Sequence, residues 1–327
     1  MSRPDSQNTP RNKKKSSQKS AGGTNNNNIE KRQTRQTPEY SENTQNIHWY
    51  PGHMTKTRRQ MEQCIKLVDG VVEIIDARIP MSSRNPEIDS VTAHRPRIIL
   101  LNKADIADSA ATSRWISYFS AQGAKAIACD CKTGRGLNHF ADEVRKLLAD
   151  KIAQWEAKGM GGRSIRLMIV GIPNVGKSSF INRMAKGGKA KVADRPGVTR
   201  GNQWFTIGGG IELLDTPGVL WPKFDDPDVG RKLAFTGAVK DAVVDIESLC
   251  LDLLGYMSRN YPERLCERYM LDSVEGMQPL EVMELIAKKR GMIMRGGEID
   301  YERVSVMVMD EYRGGKLGRI TLEMPEK

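Results

Sequence analysis

Residues 171–178 read GIPNVGKS; they follow the apolar run RLMIVG (166–171) and open a stretch that starts a helix near residue 177. Strand, glycine-rich turn and helix in that order form the context in which G-x-x-x-x-G-K-S binds phosphate. Gly171, Ile172, Pro173, Asn174, Val175, Gly176, Lys177, Ser178 and Ser179 would wrap the phosphates. Backbone N–H groups of the turn and of the helix N-terminus would point at them. Lys177 would reach the terminal phosphates, and the Ser178 hydroxyl would ligate Mg²⁺.

Two further stretches complete a phosphate site. IELLDTPG (211–218) ends an apolar run at Asp215, a position suited to Mg²⁺, held directly or in its outer sphere. The Gly218 N–H can donate to a γ-phosphate and lose it after hydrolysis, which makes a switch. RPGVT (195–199) offers Thr199 to close over Mg²⁺ and γ-phosphate, the alternative being an ordinary turn residue.

Base choice is carried by NKAD (102–105), again at the end of an apolar run. The Asp105 carboxylate can accept hydrogen bonds from both guanine N1–H and the 2-amino group. Adenine has neither donor and would leave the carboxylate unpaired. Asn102 can bridge the base edge and a loop, and Lys103 can lie over the base. CDCKTG (129–134) supplies a second guanine loop through the backbone and side chain of Cys131, with Lys132 beside it.

The order of these motifs is rotated, because NKAD precedes GIPNVGKS. A sheet that gathers them at its carboxyl edge keeps the pocket under rotation. Apolar runs at VVEIIDAR (71–78), RIILLNKAD (97–105), AIACD (126–130) and RLMIVG alternate with helical stretches at 54–67, 107–122 and 137–157. A hairpin NQWFTI–GGG–IELLD (202–215) adds one antiparallel edge strand to a mostly parallel sheet. The expected fold is therefore an α/β, circularly permuted P-loop GTPase domain. The helix at 137–157 and the following GMGG would bridge the old termini. Beyond Trp221 the periodicity is helical, at 228–269, at 279–291 and again through SVMVMDEYRGG. The expected division is a disordered basic tail (1–45), the permuted GTP-binding domain (46–222) and a small helical domain (223–327). Residues 215–230 would couple the nucleotide to those helices.

The net charge of +11 over 327 residues is unevenly spread. Residues 1–46 hold nine Lys and Arg against four Asp and Glu, residues 47–222 hold 26 against 16, and residues 223–327 hold 16 against 20. A polyanion, nucleic acid first, would meet the tail and central domain. No apolar run is long enough to span a membrane, and the first residues lack the apolar core of a secretory signal. The five cysteines form neither a disulfide framework nor a zinc pattern, so a cytoplasmic protein is expected.

The residue after DTPG is Val219, where a water-orienting glutamine would serve hydrolysis. Of the four histidines, His53 lies in WYPGHM, a Pro–Gly turn ahead of the first helix, where it is either presented for chemistry or structural.

Together NIHWYPGHMTKTRRQ (46–60), DARIPMSSRNP (76–86), LLNKAD (100–105), GIPNVGKSS (171–179), DRPGVT (194–199) and LLDTPGVLWPKF (213–224) resemble the circularly permuted ribosome-biogenesis GTPases of the RbgA/YlqF type. The resemblance runs from about residue 46 to the C-terminus. It implies a protein that binds GTP and GDP; a monomer off the ribosome, with no membrane partner, is expected. Such a protein helps mature the late precursor of the large ribosomal subunit by contacting its rRNA, and the subunit stimulates its hydrolysis. It further implies His53 as the catalytic histidine and Asn174 as a ligand for K⁺ beside the Mg²⁺ site. Cys131 departs from the serine usual in such proteins. The resemblance makes 223–327 the rRNA-contacting domain. With a net charge of −4, it would use local clusters: Lys288, Lys289 and Arg290, then Arg295, then Arg313, Lys316 and Arg319. A membrane-associated signalling GTPase and a nucleotide-regulated scaffold without turnover are the other readings.

Overall fold

The central apolar runs form strands buried on both faces, as parallel strands between helices require, while the run AIACD is only partly buried. The computed structural model describes residues 52–92, 94–186, 192–193, 203–218, 220, 226–239, 241 and 244–326. Its sheet contains β1 (Gly70–Asp76), β2 (Arg97–Asn102), β3 (Lys125–Ala128), β4 (Ile165–Val170), β5 (Val192–Ala193), β6 (Trp204–Ile207) and β7 (Ile211–Asp215). All seven residues of β1 are buried. The spatial order is β3-β2-β1-β4-β7-β6-β5.

Neighbours from β3 to β7 are parallel, and β6 is antiparallel to both β7 and β5. One strand, β6, therefore runs against the other six. The two-residue β5, too short to announce itself in the sequence, lies beyond it at the edge. The chain leaves β1 for β2 on one side and later enters β4 on the other. In such sheets, ligands bind outside the carboxyl ends at that reversal. Register aligns Asp76 with Asn102 and Ile169 with Asp215, so the loops after β1, β2, β4 and β7 emerge on one edge.

Helix α1 (Gly52–Cys64) runs into a 3₁₀ turn at Ile65–Leu67. Met61, Cys64 and Val68 pack with Met168, Trp204 and Leu214, while Arg58 and Arg59 stay exposed. The short α2 (Pro86–Thr92) was not expected. In α3 (Ser109–Ala121), Asp108 caps the start by accepting from Ala111 N–H at 2.7 Å. Trp115 and Phe119 of α3 join Ile75, Ile99 and Leu101 on one side of the sheet.

The helix expected over 137–157 divides into α4 (Phe140–Leu147) and α5 (Ala149–Ala157). Leu148 leaves helical geometry at φ −107°, ψ 16° while its side chain stays in the core. After the phosphate loop comes α6 (Lys177–Lys186). The region beyond is helical as expected: α7 (Pro227–Phe235), α8 (Ile246–Asn260), α9 (Pro262–Tyr269), α10 (Pro279–Arg290) and α11 (Tyr301–Arg313). Asp245 caps α8, and Pro262 starts α9, where its missing N–H costs nothing. The valines of α11 do not prevent a helix, because Val304 and Val308 are fully buried and core packing outweighs propensity. Among the described residues no helix is long and apolar enough to cross a membrane.

A strap after α11 returns to the loops at the carboxyl edge. Ile320 N–H donates to Ile106 C=O at 3.1 Å, and Leu322 N–H to Arg78 C=O at 2.8 Å. The Glu323 carboxylate accepts from Met81 N–H at 2.8 Å and from Ser82, and its carbonyl accepts from Trp115 Nε1 at 3.0 Å.

Candidate nucleotide-binding site

The phosphate loop is anchored from below. Ile172 and Val175 are buried, whereas Asn174, Ser178 and Ser179 are exposed and Pro173 is half-buried. Lys177 folds back over the turn, its Nζ donating to Gly171 C=O at 2.9 Å and to Ile172 C=O at 2.8 Å. Gly218 lies against that ammonium, and a Cβ there would stand 2.5 Å from Nζ. The Thr216 hydroxyl donates to Ile169 C=O at 2.6 Å, tying the start of the DTPG loop to the strand that feeds the phosphate loop.

Burial pushes the Lys177 ammonium down to about 8, against the opposing charge of Asp215. Burial also raises the Asp215 carboxyl, against Lys177 and the Thr216 N–H. Asp215 Oδ1 is buried without a hydrogen-bond partner among the described residues. Phosphate prefers the charged ammonium, so above pH 8 nucleotide binding must take up a proton. Affinity is expected to fall with rising pH there, by at most about tenfold per unit. Calorimetry at pH 9 in buffers of different ionisation enthalpy reads that uptake; none would mean that Lys177 stays charged in the free protein.

Asn102 joins three motifs. Its buried Nδ2 donates to Val175 C=O of the phosphate loop at 2.6 Å, and its Oδ1 accepts from Cys131 N–H at 2.8 Å. Asp130 shapes the second loop, accepting from Lys132 N–H at 2.8 Å and from the Thr133 hydroxyl at 2.5 Å. Lys132 is exposed. The Cys131 thiol, expected to contact the base, is instead buried, 3.7 Å from the Cys129 thiol. That leaves the backbone of this loop to face a ligand.

Asp105 is exposed, and among the described residues it takes no hydrogen bond or ion pair. Lys103 and Asn174 both stand at φ 61°, a region that non-glycine residues rarely occupy and that recurs at functional loops. Lys103 Nζ pairs with Asp76 Oδ2 at 2.8 Å, a contact between positions 27 apart that motif reading missed. The Asn174 amide nitrogen donates to Gly237 C=O at 2.7 Å, linking the phosphate loop to the segment after α7.

The other assigned positions are less complete. Helix α1 begins at Gly52, so the backbone of His53 belongs to its first turn rather than to a turn ahead of it. The His53 side chain, Thr199 and Val219 lie outside the described residues. Arg313 is withdrawn from the expected basic cluster: it pairs with Asp241 at 2.6 Å and donates to Ala234 C=O at 2.9 Å and Phe235 C=O at 3.1 Å. Lys288, Lys289, Arg290, Arg295, Lys316 and Arg319 are exposed.

Comparison with known proteins agrees with this geometry. The family described as 50S ribosome-binding GTPase matches residues 166–275. Ribosome biogenesis GTPase A of Bacillus cereus is 49% identical over 284 residues, covering 86% of this chain and 95% of that protein. The protein of the same name from Thermotoga maritima is 34% identical over 280 residues, covering 86% and 95%. Among solved structures, GDP-bound TM YlqF superposes with a TM-score of 0.58 at 29% identity, over 82% of this chain and all of that one. GNP-bound YlqF from T. maritima gives 0.57 at 30% identity, over 83% and 99%. The chain therefore belongs to the ribosome biogenesis GTPase A family and is a GTPase with a circularly permuted G domain.

Proposed function

We propose that this GTPase is an assembly factor for late maturation of the large ribosomal subunit, with hydrolysis stimulated by the subunit precursor and its rRNA. The observation that carries the nucleotide part is Asn102, which ties the phosphate loop to the second guanine loop next to an exposed Asp105. The names of its relatives, and the exposed basic residues at the end of α10 and in the strap region, support the ribosomal part. In this reading 46–222 binds GTP, 223–327 contacts rRNA, and the tail 1–45 adds unspecific affinity. The chain works in the cytoplasm as a monomer when off the subunit.

Asp105 and Asn102 select guanine, with Lys103 over the base and the backbone at Cys131 and Lys132 closing the edge. The loop from Gly171 to Ser179, with Lys177 and Gly218, holds the phosphates. The buried Asp215 Oδ1, unpartnered among the described residues, is the oxygen a divalent cation takes, so Mg²⁺ fits. Ser178, Asp215 and Thr199 would hold it. When bound, Mg²⁺ supplies positive charge to the phosphate oxygens. With its nitrogen given to Gly237, Asn174 keeps an amide oxygen for K⁺. His53 directs the attacking water in place of the glutamine that Val219 replaces.

GTP turnover by the purified chain, alone and with large subunits, tests the reading. Subunits are expected to accelerate turnover, and His53→Ala to lower the stimulated rate by about 10²-fold or more. Full stimulation in that variant would remove His53 from the chemistry. No stimulation of the unaltered protein would move the reading to a switch directed at a protein partner, or to a scaffold.

A further inference from the structure

The stretch DARIPMSSRNP (76–86) has no part in the nucleotide chemistry above, yet it places charge in the deepest part of the molecule. Asp76 is 2% exposed and Arg78 1%. Asp76 Oδ1 accepts from Arg78 N–H and Nε, both at 3.0 Å, and Oδ2 accepts from Arg78 Nη2 at 2.8 Å. The same Oδ2 takes Lys103 Nζ at 2.8 Å. One buried carboxylate thus serves two cations. Burial alone would push its carboxyl up, but Arg78 and Lys103 hold it well below the usual carboxylate range.

Arg78 is fixed in turn from the far side. Its guanidinium lies 5.2 Å from the ring centroid of Tyr312 in α11, and its carbonyl accepts from Leu322 N–H at 2.8 Å. The Asp76 N–H is also committed, donating to the Ser83 hydroxyl at 3.0 Å. Both ends of the Asp76–Arg78 pair are therefore held by named partners. Lys103 differs, because its side chain is 26% exposed and sits in the NKAD motif, one residue after the asparagine that joins the two loops. A free lysine stem samples many rotamers, and ordering it on binding costs entropy. A tethered stem has met that cost in advance.

We propose that Asp76 is a positioning residue for guanine recognition: its carboxylate, held by Arg78 under α11 and the strap, fixes the Lys103 ammonium so that the lysine stem stands ready as a wall of the base site. The proposal rests on the reading of NKAD as the guanine motif. It makes the β1–α2 loop the part through which the C-terminal helices support base binding, which the phosphate loop alone does not require.

The test is the dissociation rate of N-methylanthraniloyl-GDP from the full chain, with a thermal melt of each variant. Lys103→Ala is expected to speed release about tenfold, and Asp76→Asn to do the same. Adding Asp76→Asn to Lys103→Ala is expected to change release by less than about twofold, since the two act through one contact. An equal further acceleration in the double variant, or unchanged release in Asp76→Asn alone, overturns the proposal and leaves the NKAD reading standing. Unchanged release in Lys103→Ala removes the NKAD reading of Lys103 and the proposal with it. Should Asp76→Asn fail to fold, Asp76→Glu decides, because it keeps the charge for Arg78 but shifts the carboxylate by one methylene. Release about threefold faster at an unaltered melting temperature supports the proposal, and unaltered release overturns it.

Discussion

Asp105→Asn is expected to exchange guanine for xanthine as the preferred base. Asp105 stands exposed after β2, with no hydrogen bond or ion pair among the described residues, so both carboxylate oxygens are open to a ligand. Guanine presents two donors on one edge, N1–H and the 2-amino group, and a carboxylate answers both. Asparagine has one acceptor and one donor. It would set its NH₂ against the 2-amino group, and a site left with unmatched polar groups rejects a ligand strongly, by on the order of 10⁴. Xanthine carries N1–H beside a C2 carbonyl, the pattern that asparagine matches. GTP affinity should therefore drop by about that factor, with XTP affinity rising toward the original GTP value. Competition against a fluorescent guanine nucleotide measures the first, and XTP hydrolysis the second. GTP binding that survives the substitution would take base reading away from Asp105.

Gly176→Ala comes next in expected size, because one methyl group would strike the contact that joins the motifs. Gly176 has φ 106°, and a Cβ there would stand 2.2 Å from Asn102 Nδ2. Asn102 cannot yield without loosening its bonds to Val175 and Cys131. Each buried bond lost costs about 1–3 kcal/mol, and the left-handed backbone adds about 1–3 kcal/mol for a residue with a side chain. Nucleotide affinity is expected to fall by about 10²–10³, with a melting temperature lower by several degrees. Gly208→Ala is the matched control, since a Cβ there meets nothing within 4 Å. Its melt and nucleotide titration should stay close to those of the unaltered chain. Nucleotide binding within about threefold in Gly176→Ala would show that the loop tolerates a displaced Asn102.

What could be read from the residues was what depends on near neighbours. Apolar runs ending in NKAD, GIPNVGKS and DTPG located three strands and the order in which their loops converge. Asn102 was expected to bridge the base edge and a loop; the structure shows it joining two loops that the motifs already name, Val175 on one side and Cys131 on the other. Arg78 was not. An arginine after a strand ordinarily reads as a surface residue, and its burial depends on Tyr312 and Leu322, more than two hundred positions away. Arg313 misled in the opposite direction. It looked like part of a basic cluster, but Asp241 and two carbonyls of the α7 end consume it. The Cys131 side chain was expected at the base because its position in the loop is right, while its burial against Cys129 is decided by the core beneath. The break at Leu148 and the two-residue β5 carry no local signal at all.

The strap that ties Ile320 to Ile106, Leu322 to Arg78 and Glu323 to Met81 spans up to 244 positions of sequence. During translation the loops at 77–82 and 106–108 are made early and stay unfastened until synthesis has passed Glu323. A product cut short before residue 320 would carry every nucleotide motif, from NKAD through DTPG, and still lack the segment that holds two of their supporting loops. Contacts of such long range also form late and slowly in folding. In fragments of this chain, the presence of the motifs is therefore a poor guide to whether the G domain is finished.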